Sequence, residues 1–384
     1  MSADFDVIII GGGLFGSFTG LFLARLGKRV ALIERGLVGA QSSGANFGGL
    51  RLQGRSKEQY PLSLLAQKHW QDFEVLVGEG CEFDRNGMVY FAYTEAARER
   101  LLKYAANSRA CGLEIEVWQG DNVRKKLPWL TGDRLIASYS PQCAVANPRI
   151  TTPAVARAMI RAGGRLFESC EVTEIDHSHA LFTVSATNLQ ITAPTVVNAA
   201  GAWAGEISKR FGEPVPLFSA GPPQFVTEPM PYVLRPSVYA VEGDMILRQI
   251  PRGNFIFAGY PRTLANEDGR HTFVPPQKTL NGMRAVAAHV PGFRNAEVIR
   301  VWSGVEGYLP DMLPAIGASQ TTAGLYHAFA GSGGGFQIAP AVGECLALEI
   351  CGQKAPVDLT PYSIGRFRSS VEASEKLMRE FDRI

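Results

Sequence analysis

The chain has 384 residues, a formal net charge of +2 and 46% hydrophobic residues, which is enough for a large core and two structural lobes. The charge is nearly balanced and no basic run is longer than Arg124-Lys125-Lys126, which excludes the electrostatic footprint of a nucleic-acid or anionic-membrane binder. The cysteines form no Cys-x-x-Cys pair and have no neighbouring histidines, which argues against a metal site or a disulfide framework and favours a reducing cytoplasm.

The first predicted element is a buried strand, residues 5–10, which runs into a glycine-rich turn and then a helix. The turn has the pattern Gly-x-Gly-x-x-Gly, with glycines at Gly11, Gly13 and Gly16. The first glycine permits the tight turn, the second lets backbone approach phosphates, and the third lets helix and strand pack closely. Free N–H groups at the helix N-terminus then face the anion, so the segment predicts a dinucleotide pyrophosphate site.

A second predicted strand supports this interpretation. Residues 29–33 end at Glu34, at the spacing expected for a carboxylate that accepts hydrogen bonds from an adenosine ribose. A membrane span or signal peptide over residues 7–24 is the alternative, because the stretch is uncharged. Its many glycines, the acidic Asp4 and Asp6 before it and the continuing strand-helix-strand pattern exclude both.

The remaining elements follow from hydrophobic periodicity. Residues 36–54, rich in Gly, Ser, Gln and Asn, predict a loop along a ligand. Helical spacing predicts helices over residues 61–77, 95–111, 148–162 (with Thr151 or Thr152 as N-cap), 277–288 and 336–350. Strand patterns occur at 165–167, 171–176, 181–186, 189–192, 195–201, 224–227, 245–250, 255–260 and 324–330.

These pieces, in this order, resemble the FAD-dependent amine and amino-acid oxidoreductases of the D-amino-acid oxidase, glycine oxidase and sarcosine oxidase group. Four blocks carry the resemblance, and together they span nearly the whole chain. They are residues 9–16 with Glu34-Arg35, Asn-Ala-Ala-Gly-Ala-Trp at 198–203, Val-Trp-Ser-Gly at 301–304 with Leu-Pro-Asp-Met-Leu-Pro-Ala-Ile-Gly at 309–317, and the glycine loop 331–335 with the helix start 336–343.

The resemblance implies an α/β fold, with a Rossmann-like FAD-binding domain and a second, α+β lobe that forms an antiparallel β-rich substrate domain. The FAD-binding domain is expected to be discontinuous, over residues 1–80, 145–215 and 300–384. The substrate-binding domain is expected over residues 81–144 and 216–299.

The resemblance also implies which residues meet FAD. The first block holds the pyrophosphate and ribose, the second covers the adenosine half, and the final loop meets the flavin carbonyls. The expected residues are Gly11, Gly13, Leu14, Phe15, Gly16, Glu34, Arg35, Ser42, Ser43, Asn46, Gly48, Gly49, Leu50, Val172, Ala200, Gly201, Trp203, Gly304, Gly331, Gly333, Gly334, Gly335, Phe336 and Gln337. The histidine and cysteine to which some relatives attach the flavin are absent, so non-covalent FAD is expected.

Four residues are expected to form the substrate site. Arg51 is the first choice for the substrate carboxylate, because a guanidinium fork fixes a carboxylate in one orientation. Glu306 stands where glycine oxidase-like enzymes place an arginine, and it suits either a substrate amine or an ion pair within the protein. Tyr260 and Tyr308 are expected either to close the pocket or to pack beneath it. The alternatives to the first arginine are Arg55, Arg248 and Arg262.

The implied reaction is hydride transfer from the amine-bearing carbon to flavin N5, which gives an imine. Residues 44–51 and 306–311 look most like hydroxyproline or proline dehydrogenases and opine oxidases, so a D-hydroxyproline-like amino or imino acid is the favoured substrate. Phe257 stands where oxidases carry an oxygen-activating lysine, which favours a dehydrogenase.

Three alternatives stay open. The chain is a glycine or sarcosine oxidase-like oxidase, a flavin-bearing subunit of a hetero-oligomer such as opine oxidase or hydrogen cyanide synthase, or a flavoprotein that binds FAD without catalysis. Electron-relay subunits, a quinone and further copies of the chain are the alternatives for its partners. These readings differ in the electron acceptor, which the sequence leaves undetermined.

Overall fold

The computed structural model describes residues 3–132, 135–258, 262–266 and 269–381. No helix in these ranges is both long and apolar enough to cross a bilayer. The α-helices, in chain order, are α1 Leu14–Arg25, α2 Ser42–Ala45, α3 Gln59–Gln71, α4 Phe73–Val77, α5 Glu95–Ala110, α6 Asp121–Lys126, α7 Pro148–Arg161, α8 Ala204–Arg210, α9 Pro276–His289, α10 Gly335–Ile350 and α11 Glu375–Glu380.

The strands fall into two large sheets and three small ones. In chain order they are β1 Val7–Ile10, β2 Val30–Ile33, β3 Gly49–Leu50, β4 Met88–Ala92, β5 Glu116–Gln119, β6 Ile136–Ser140, β7 Ala144–Val145, β8 Arg165–Phe167, β9 Val172–Ser178, β10 Leu181–Ala186, β11 Leu189–Ala193, β12 Thr195–Asn198, β13 Phe218–Gly221, β14 Gln224–Pro229, β15 Ser237–Ala240, β16 Ile246–Gln249, β17 Asn254–Ala258, β18 Thr263–Leu264, β19 Val298–Trp302, β20 Glu306–Tyr308, β21 Ala315–Ala318 and β22 Leu325–Phe329.

The first large sheet has the order β21-β22-β12-β1-β2-β8, and all its pairings are parallel except β21 with β22. Strand β1 lies near its centre, with Ile10 opposite Ile33 on one side and Asn198 on the other. The strands β1 and β2 are buried along their whole length, as expected for a parallel sheet covered on both faces. The carboxyl ends of β1, β2, β12 and β22 therefore meet at one edge.

Helices cover one face of this sheet, and α1 packs against α7 and α10 in the largest hydrophobic core. Helix α1 has no charged residue before Arg25 and is buried almost throughout, which is why it resembled a membrane span in sequence. The antiparallel sheet β9-β10-β11 covers the opposite face through a second core built around Ile8, Ala31 and Val196. The layered arrangement is the Rossmann-like α/β unit expected from the sequence.

The second large sheet has the order β19-β14-β17-β16-β15-β4-β6-β5 and is antiparallel apart from the pair β15 and β4. One face packs against α9 and Phe293 in a separate core. The expected α/β fold with an antiparallel β-rich second lobe is confirmed. The residue boundaries of the two domains stay a prediction.

Three local expectations are wrong. The N-cap of α7 is Asn147, whose side chain accepts from the N–H of Arg149, and neither Thr151 nor Thr152 caps the helix. Both threonines are buried in the first turns of the helix, so neither takes the capping role that its residue type suggested. The expected helix over residues 61–77 is divided at Asp72. The expected loop 36–54 contains the short elements α2 and β3.

Candidate dinucleotide and substrate site

A cavity of about 1120 Å³ lies where the carboxyl ends of the parallel strands face the second sheet. Residues that directly follow β1, β2, β12 and β22 line it, as do residues of the antiparallel sheet. Ligands bind at this edge of open α/β sheets because the loops that follow the strands converge there. Its volume exceeds the roughly 300–1000 Å³ of ordinary small-ligand sites, so it has room for a dinucleotide and a substrate.

The glycine-rich turn packs as its spacing predicts. Gly11 has a φ of +110°, and an added Cβ would lie 2.3 Å from the carbonyl oxygen of Ala199. A Cβ on Gly16 would lie 2.1 Å from the carbonyl oxygen of Gly11, so only glycine lets α1 pack this tightly. Gly13 is different, because it lines the cavity and its nearest neighbour would be Oγ of Ser43 at 3.3 Å. Backbone is therefore exposed to a ligand at this turn.

One end of the cavity is organised around Glu34. Its two carboxylate oxygens accept from the N–H groups of Gly12 at 2.7 Å and Gly36 at 2.8 Å, which fixes the carboxylate at the cavity wall. The guanidinium carbon of Arg35 lies 3.9 Å from the ring centroid of Trp203, a cation–π contact. Burial is the main cause that lowers the pKa of Arg35. Two cavity-lining residues from distant segments thus form a stacked pair beside the acid.

Most of the residues expected to meet FAD line this single cavity. They are Gly11, Gly13, Leu14, Phe15, Glu34, Arg35, Ser42, Ser43, Asn46, Gly49, Val172, Ala200, Gly201, Trp203, Gly331, Gly333, Gly334, Gly335, Phe336 and Gln337. The four others lie behind the wall. Gly16 and Gly304 are close-packing positions, Gly48 has a φ of +81°, and Leu50 is fully buried in the core.

One cross-strand row of the second sheet forms the opposite side of the cavity. Tyr90 pairs with Tyr239, Tyr239 with Ile246, Ile246 with Ala258, and Ala258 with Gln224. All five line the cavity, because residues in register on neighbouring strands point to the same face. The row is aromatic at one end and polar at the other.

Two arginines stand at the aromatic end. Arg51 lines the cavity, and its Nη1 donates to the carbonyls of Gln53 at 2.8 Å and Gly54 at 2.9 Å. Arg55 also lines the cavity, is 6% exposed, and donates from Nε to the carbonyl of Arg51 at 3.1 Å. The expected carboxylate-binding residue and its first alternative are therefore neighbours on one wall.

Glu306 makes the ion pair that was one of its two expected roles. Its Oε2 lies 3.5 Å from Nη1 of Arg262 and accepts from the hydroxyl of Tyr308, and its Oε1 accepts from the N–H of Gly333 at 2.8 Å. Tyr308 is fully buried, stacks on Phe218 and does not line the cavity, so it packs beneath the wall. Tyr260 lies outside the described residues.

Two further candidate residues do not line the cavity. Arg248 is buried with its guanidinium 5.3 Å from the ring centroid of Phe47, and it is not a lining residue. Phe257 points into the core of the second large sheet, where it stacks on Phe225, while its neighbour Ala258 faces the cavity. Position 257 therefore presents no side chain to the cavity, so Phe257 does not favour a dehydrogenase over an oxidase.

Gln224 is the lining residue that sequence reasoning missed. It is 2% exposed, and its Oε1 is buried without a hydrogen-bond partner among the described residues. A buried carbonyl oxygen without a donor costs about 1–3 kcal/mol, so such groups in a cavity are strong candidates for ligand contact. The signal in the sequence was a polar residue at the first position of an apolar strand, which is too common to single it out.

Comparison with known proteins identifies the family. The family model described as FAD dependent oxidoreductase matches residues 6–348. The chain belongs to this family. It is accordingly an FAD-dependent oxidoreductase, and the recognition, the enzyme class and the cofactor expected from the sequence are confirmed.

Curated relatives match this FAD-dependent oxidoreductase over nearly its full length. It is 28% identical to the glycine oxidase of Geobacillus kaustophilus strain HTA426, with 95% of this chain and 98% of the relative covered. It is 25% identical to the N-methyl-L-tryptophan oxidase of Yersinia pestis strain Pestoides F, with 95% and 100% covered. Both relatives are oxidases by name.

Solved structures agree. The oxidoreductase superposes on the crystal structure of glycine oxidase from Geobacillus kaustophilus with a TM-score of 0.89 at 25% identity, covering 95% of this chain and 99% of that one. It superposes on L-proline dehydrogenase from P. horikoshii with a TM-score of 0.87 at 23% identity, covering 96% and 99%. The second likeness concerns the fold alone.

The residues of this chain fit FAD. The turn at Gly13 presents backbone to the cavity, and the carboxylate of Glu34 is held at its wall. The indole N–H of Trp203 is buried and has no acceptor among the residues described, which leaves an unused donor for the cofactor. The helix α10 begins at Gly335 beside the cavity with no acidic residue in its first turn, so its N-terminal N–H groups suit an electron-rich group.

Proposed function

We propose that this protein oxidises the C–N bond of an amino or imino acid, with a D-hydroxyproline-like cyclic secondary amine as the favoured substrate. The observation that carries the proposal is the position of Arg51, on the wall of the cavity that the glycine-rich turn also lines. A guanidinium at that place can bind a substrate carboxylate in a fixed orientation. The names of the relatives, which include an N-methyl amino acid oxidase, support an amine substrate.

FAD, held non-covalently in this proposal, supplies the hydride acceptor when it is bound, and the chain positions the substrate. Arg51 holds the carboxylate, while Tyr90 and Tyr239 form an apolar wall that keeps water away from the reacting carbon. The Oε1 atom of Gln224 accepts a hydrogen bond from an N–H or O–H of the substrate. Little proton transfer by side chains is required, since the amine needs only to reach the site in its neutral form.

Glu306 acts on the site indirectly in this proposal. It neutralises Arg262 and fixes Gly333 of the loop that meets the flavin, so it is a positioning residue and does not bind the substrate amine. Tyr308 orients the same carboxylate through its hydroxyl. The assignments of Arg51 to the substrate and of the lining residues to FAD are proposals of the same kind.

The preference for a cyclic secondary amine rests on two stretches, 44–51 and 306–311, and on the shape of the cavity. The small side chain of Ala258, between Ile246 and Gln224 in the row, leaves space for a compact ring. A primary amine such as glycine would contact fewer of these side chains. Substrates with a five-membered ring therefore gain most from burial against this row.

A substrate panel tests the proposal. Purified protein is assayed with an artificial electron acceptor against D-hydroxyproline, D-proline, L-proline, sarcosine and glycine. We expect the highest kcat/KM with a cyclic D-imino acid. Higher values for glycine or sarcosine would contradict the ring preference, and no turnover of any of the five would contradict the substrate class.

The location and the electron acceptor belong to the same proposal. All six cysteines are free thiols, which supports a cytoplasmic location. The alternatives for the electron acceptor are oxygen, a quinone and a partner subunit, and those for the assembly are a single chain and an oligomer. Purification from the native host separates these cases, because stoichiometric small subunits that carry iron-sulfur centres would identify an electron-relay complex.

A further inference from the structure

Arg55 is a buried cation that contacts the triple-glycine loop. Its Nε donates to the carbonyl of Arg51 at 3.1 Å, and its Nη2 lies 3.5 Å from Oε1 of Gln337. A Cβ added to Gly334 would lie 2.3 Å from its Nη1, so a larger residue at this loop position would displace the guanidinium. Arg55 therefore reaches the start of α10 from the segment between β3 and α3.

This position is electrostatically costly for the protein alone. The N-terminus of the 16-residue helix α10 carries partial positive charge, and a second cation, Arg51, is a neighbour. Burial, and then Arg51, lower the pKa of Arg55 to about 9, which still leaves the guanidinium charged at neutral pH. A buried charge of this kind is retained when something of opposite sign compensates it.

The described residues provide no such compensation for Arg55. Both of its hydrogen-bond acceptors, the carbonyl of Arg51 and the amide of Gln337, are neutral. Arg262 makes an instructive contrast, because it contacts the same loop at Gly333 and has Glu306 at 3.5 Å. The positive charge left at the loop is therefore that of Arg55.

We propose that Arg55 compensates negative charge on the pyrimidine ring of FAD and so raises the reduction potential of the cofactor. The inference rests on the proposed placement of the flavin at the loop 331–335. Uptake of a hydride, which brings two electrons and one proton, leaves one negative charge on that ring at neutral pH. Arg55 and the N-terminus of α10 favour the charged, reduced form over the neutral, oxidised one.

The test is the midpoint potential of the bound flavin, measured without substrate in the wild type, Arg55→Gln, Arg55→Met and Arg55→Lys. The two neutral variants are expected to lower the preference for the reduced form at least ten-fold, which is about 30 mV for a two-electron couple. Sulfite, which adds to the flavin and leaves the same charge on the ring, is expected to bind them at least ten-fold more weakly. Arg55→Lys is expected to stay within three-fold of the wild type.

Arg51→Gln is the matched control, because it removes the neighbouring cation, whose Nη1 donates to the carbonyls of Gln53 and Gly54. We expect its potential and sulfite affinity to change less than three-fold. Equal shifts in the Arg51 and Arg55 variants would overturn the assignment to Arg55. Flavin absorbance per protein is measured for each variant to check that FAD is retained. If one of the neutral variants Arg55→Gln and Arg55→Met loses FAD, the comparison uses the remaining one.

The competing source of negative charge is the substrate carboxylate. Unchanged potential and sulfite affinity in both neutral Arg55 variants, together with ten-fold weaker binding of acetate to the oxidised enzyme, would assign Arg55 to the substrate and overturn the proposal. Failure of this proposal is distinguishable from failure of the proposed function. If the substrate panel shows no turnover, the midpoint potential of the bound flavin can still be measured. If the protein purifies without flavin, the placement of the flavin at the loop 331–335 is contradicted.

Discussion

At the residue scale, the site is defined by a few side chains whose partners differ sharply. Arg262 is paired with Glu306, while Gln224 has a buried acceptor with no donor among the described residues. Paired groups hold the wall in place, and groups with unused hydrogen-bonding capacity are the ones that a ligand can satisfy. Gln224, at the polar end of the sheet row, is such a group. Substrate binding is expected to depend on it and on the guanidinium of Arg51, which lines the cavity near the aromatic end of the row.

Replacement of Arg51 tests its role. Arg51→Ala is expected to raise the KM for an amino-acid substrate about 10- to 100-fold, because a hydrogen bond to a charged group contributes about 1.5–3 kcal/mol. The corresponding amino-acid amide, which has no carboxylate, serves as the control substrate. Steady-state kinetics on both should show the difference only for the acid, and an equal loss on the amide would assign Arg51 a structural role.

Gln224 and Gln249 form a matched pair in the second sheet. Gln249 is also buried, but its side chain accepts from the N–H groups of Val233 and Leu234 and donates to three backbone carbonyls. We expect Gln249→Leu to lower the free energy of unfolding by about 2–4 kcal/mol, and Gln224→Leu to change it by less than about 1 kcal/mol. Substrate KM should rise only in Gln224→Leu.

Urea unfolding and kinetics measured side by side decide this prediction. If Gln224→Leu proved as destabilising as Gln249→Leu, its side chain would be part of the scaffold. If it left KM unchanged at native stability, the substrate would not contact it.

The residues of the site differ in how far the sequence predicts their roles. The glycines and Glu34 were predictable because their spacing follows from local strand-turn-helix geometry. The pairing of Glu306 with Arg262 was open, since 43 residues separate them in sequence and no local spacing brings the two side chains together. Gln224 was not predictable, because its missing partner is a property of the packed sheet.

At the scale of elements, the β1-turn-α1 unit connects sequence to function most directly. Gly11 has a positive φ and its backbone lies directly against that of Ala199. Both features are needed for α1 to start at the cavity edge. Helix and strand positions were predicted well because they rest on long apolar runs. The N-cap of α7 was not, because Asn147 precedes a proline and two threonines that compete for the same role in sequence.

Alanine substitutions at two glycines distinguish the effect of backbone strain from that of a steric clash. Gly11 and Gly27 both have positive φ, but a Cβ on Gly27 meets nothing within 4 Å. Gly27→Ala is expected to cost about 1–2 kcal/mol of stability and to retain FAD. Gly11→Ala is expected to cost about 2–5 kcal/mol and to lose most of the bound FAD, because the added carbon also displaces the Ala199 backbone.

Thermal unfolding and flavin absorbance per protein provide the comparison between the two variants. Equal FAD content in Gly11→Ala and Gly27→Ala would show that the contact with Ala199 is not required for the cofactor site.

At the scale of the whole molecule, the cavity exists only because two sheets from interleaved parts of the chain face each other. Residues from 10 to 55 and from 199 to 203 form one side, and residues from 224 to 258 form much of the other. The order of motifs predicted both lobes, since each carries its own periodicity. Which side chains of the second lobe face the first depends on strand register, and a shift of one residue exchanges Phe257 with Ala258 at the cavity.

The most direct test of the account is an anaerobic titration of the purified protein with cyclic amino acids, followed by flavin absorbance. The account predicts an oxidised flavin spectrum that is bleached by a D-imino acid and restored when an electron acceptor is added. A flavin that no amino or imino acid bleaches, in protein that dithionite reduces normally, would contradict the proposal that this oxidoreductase acts on C–N bonds.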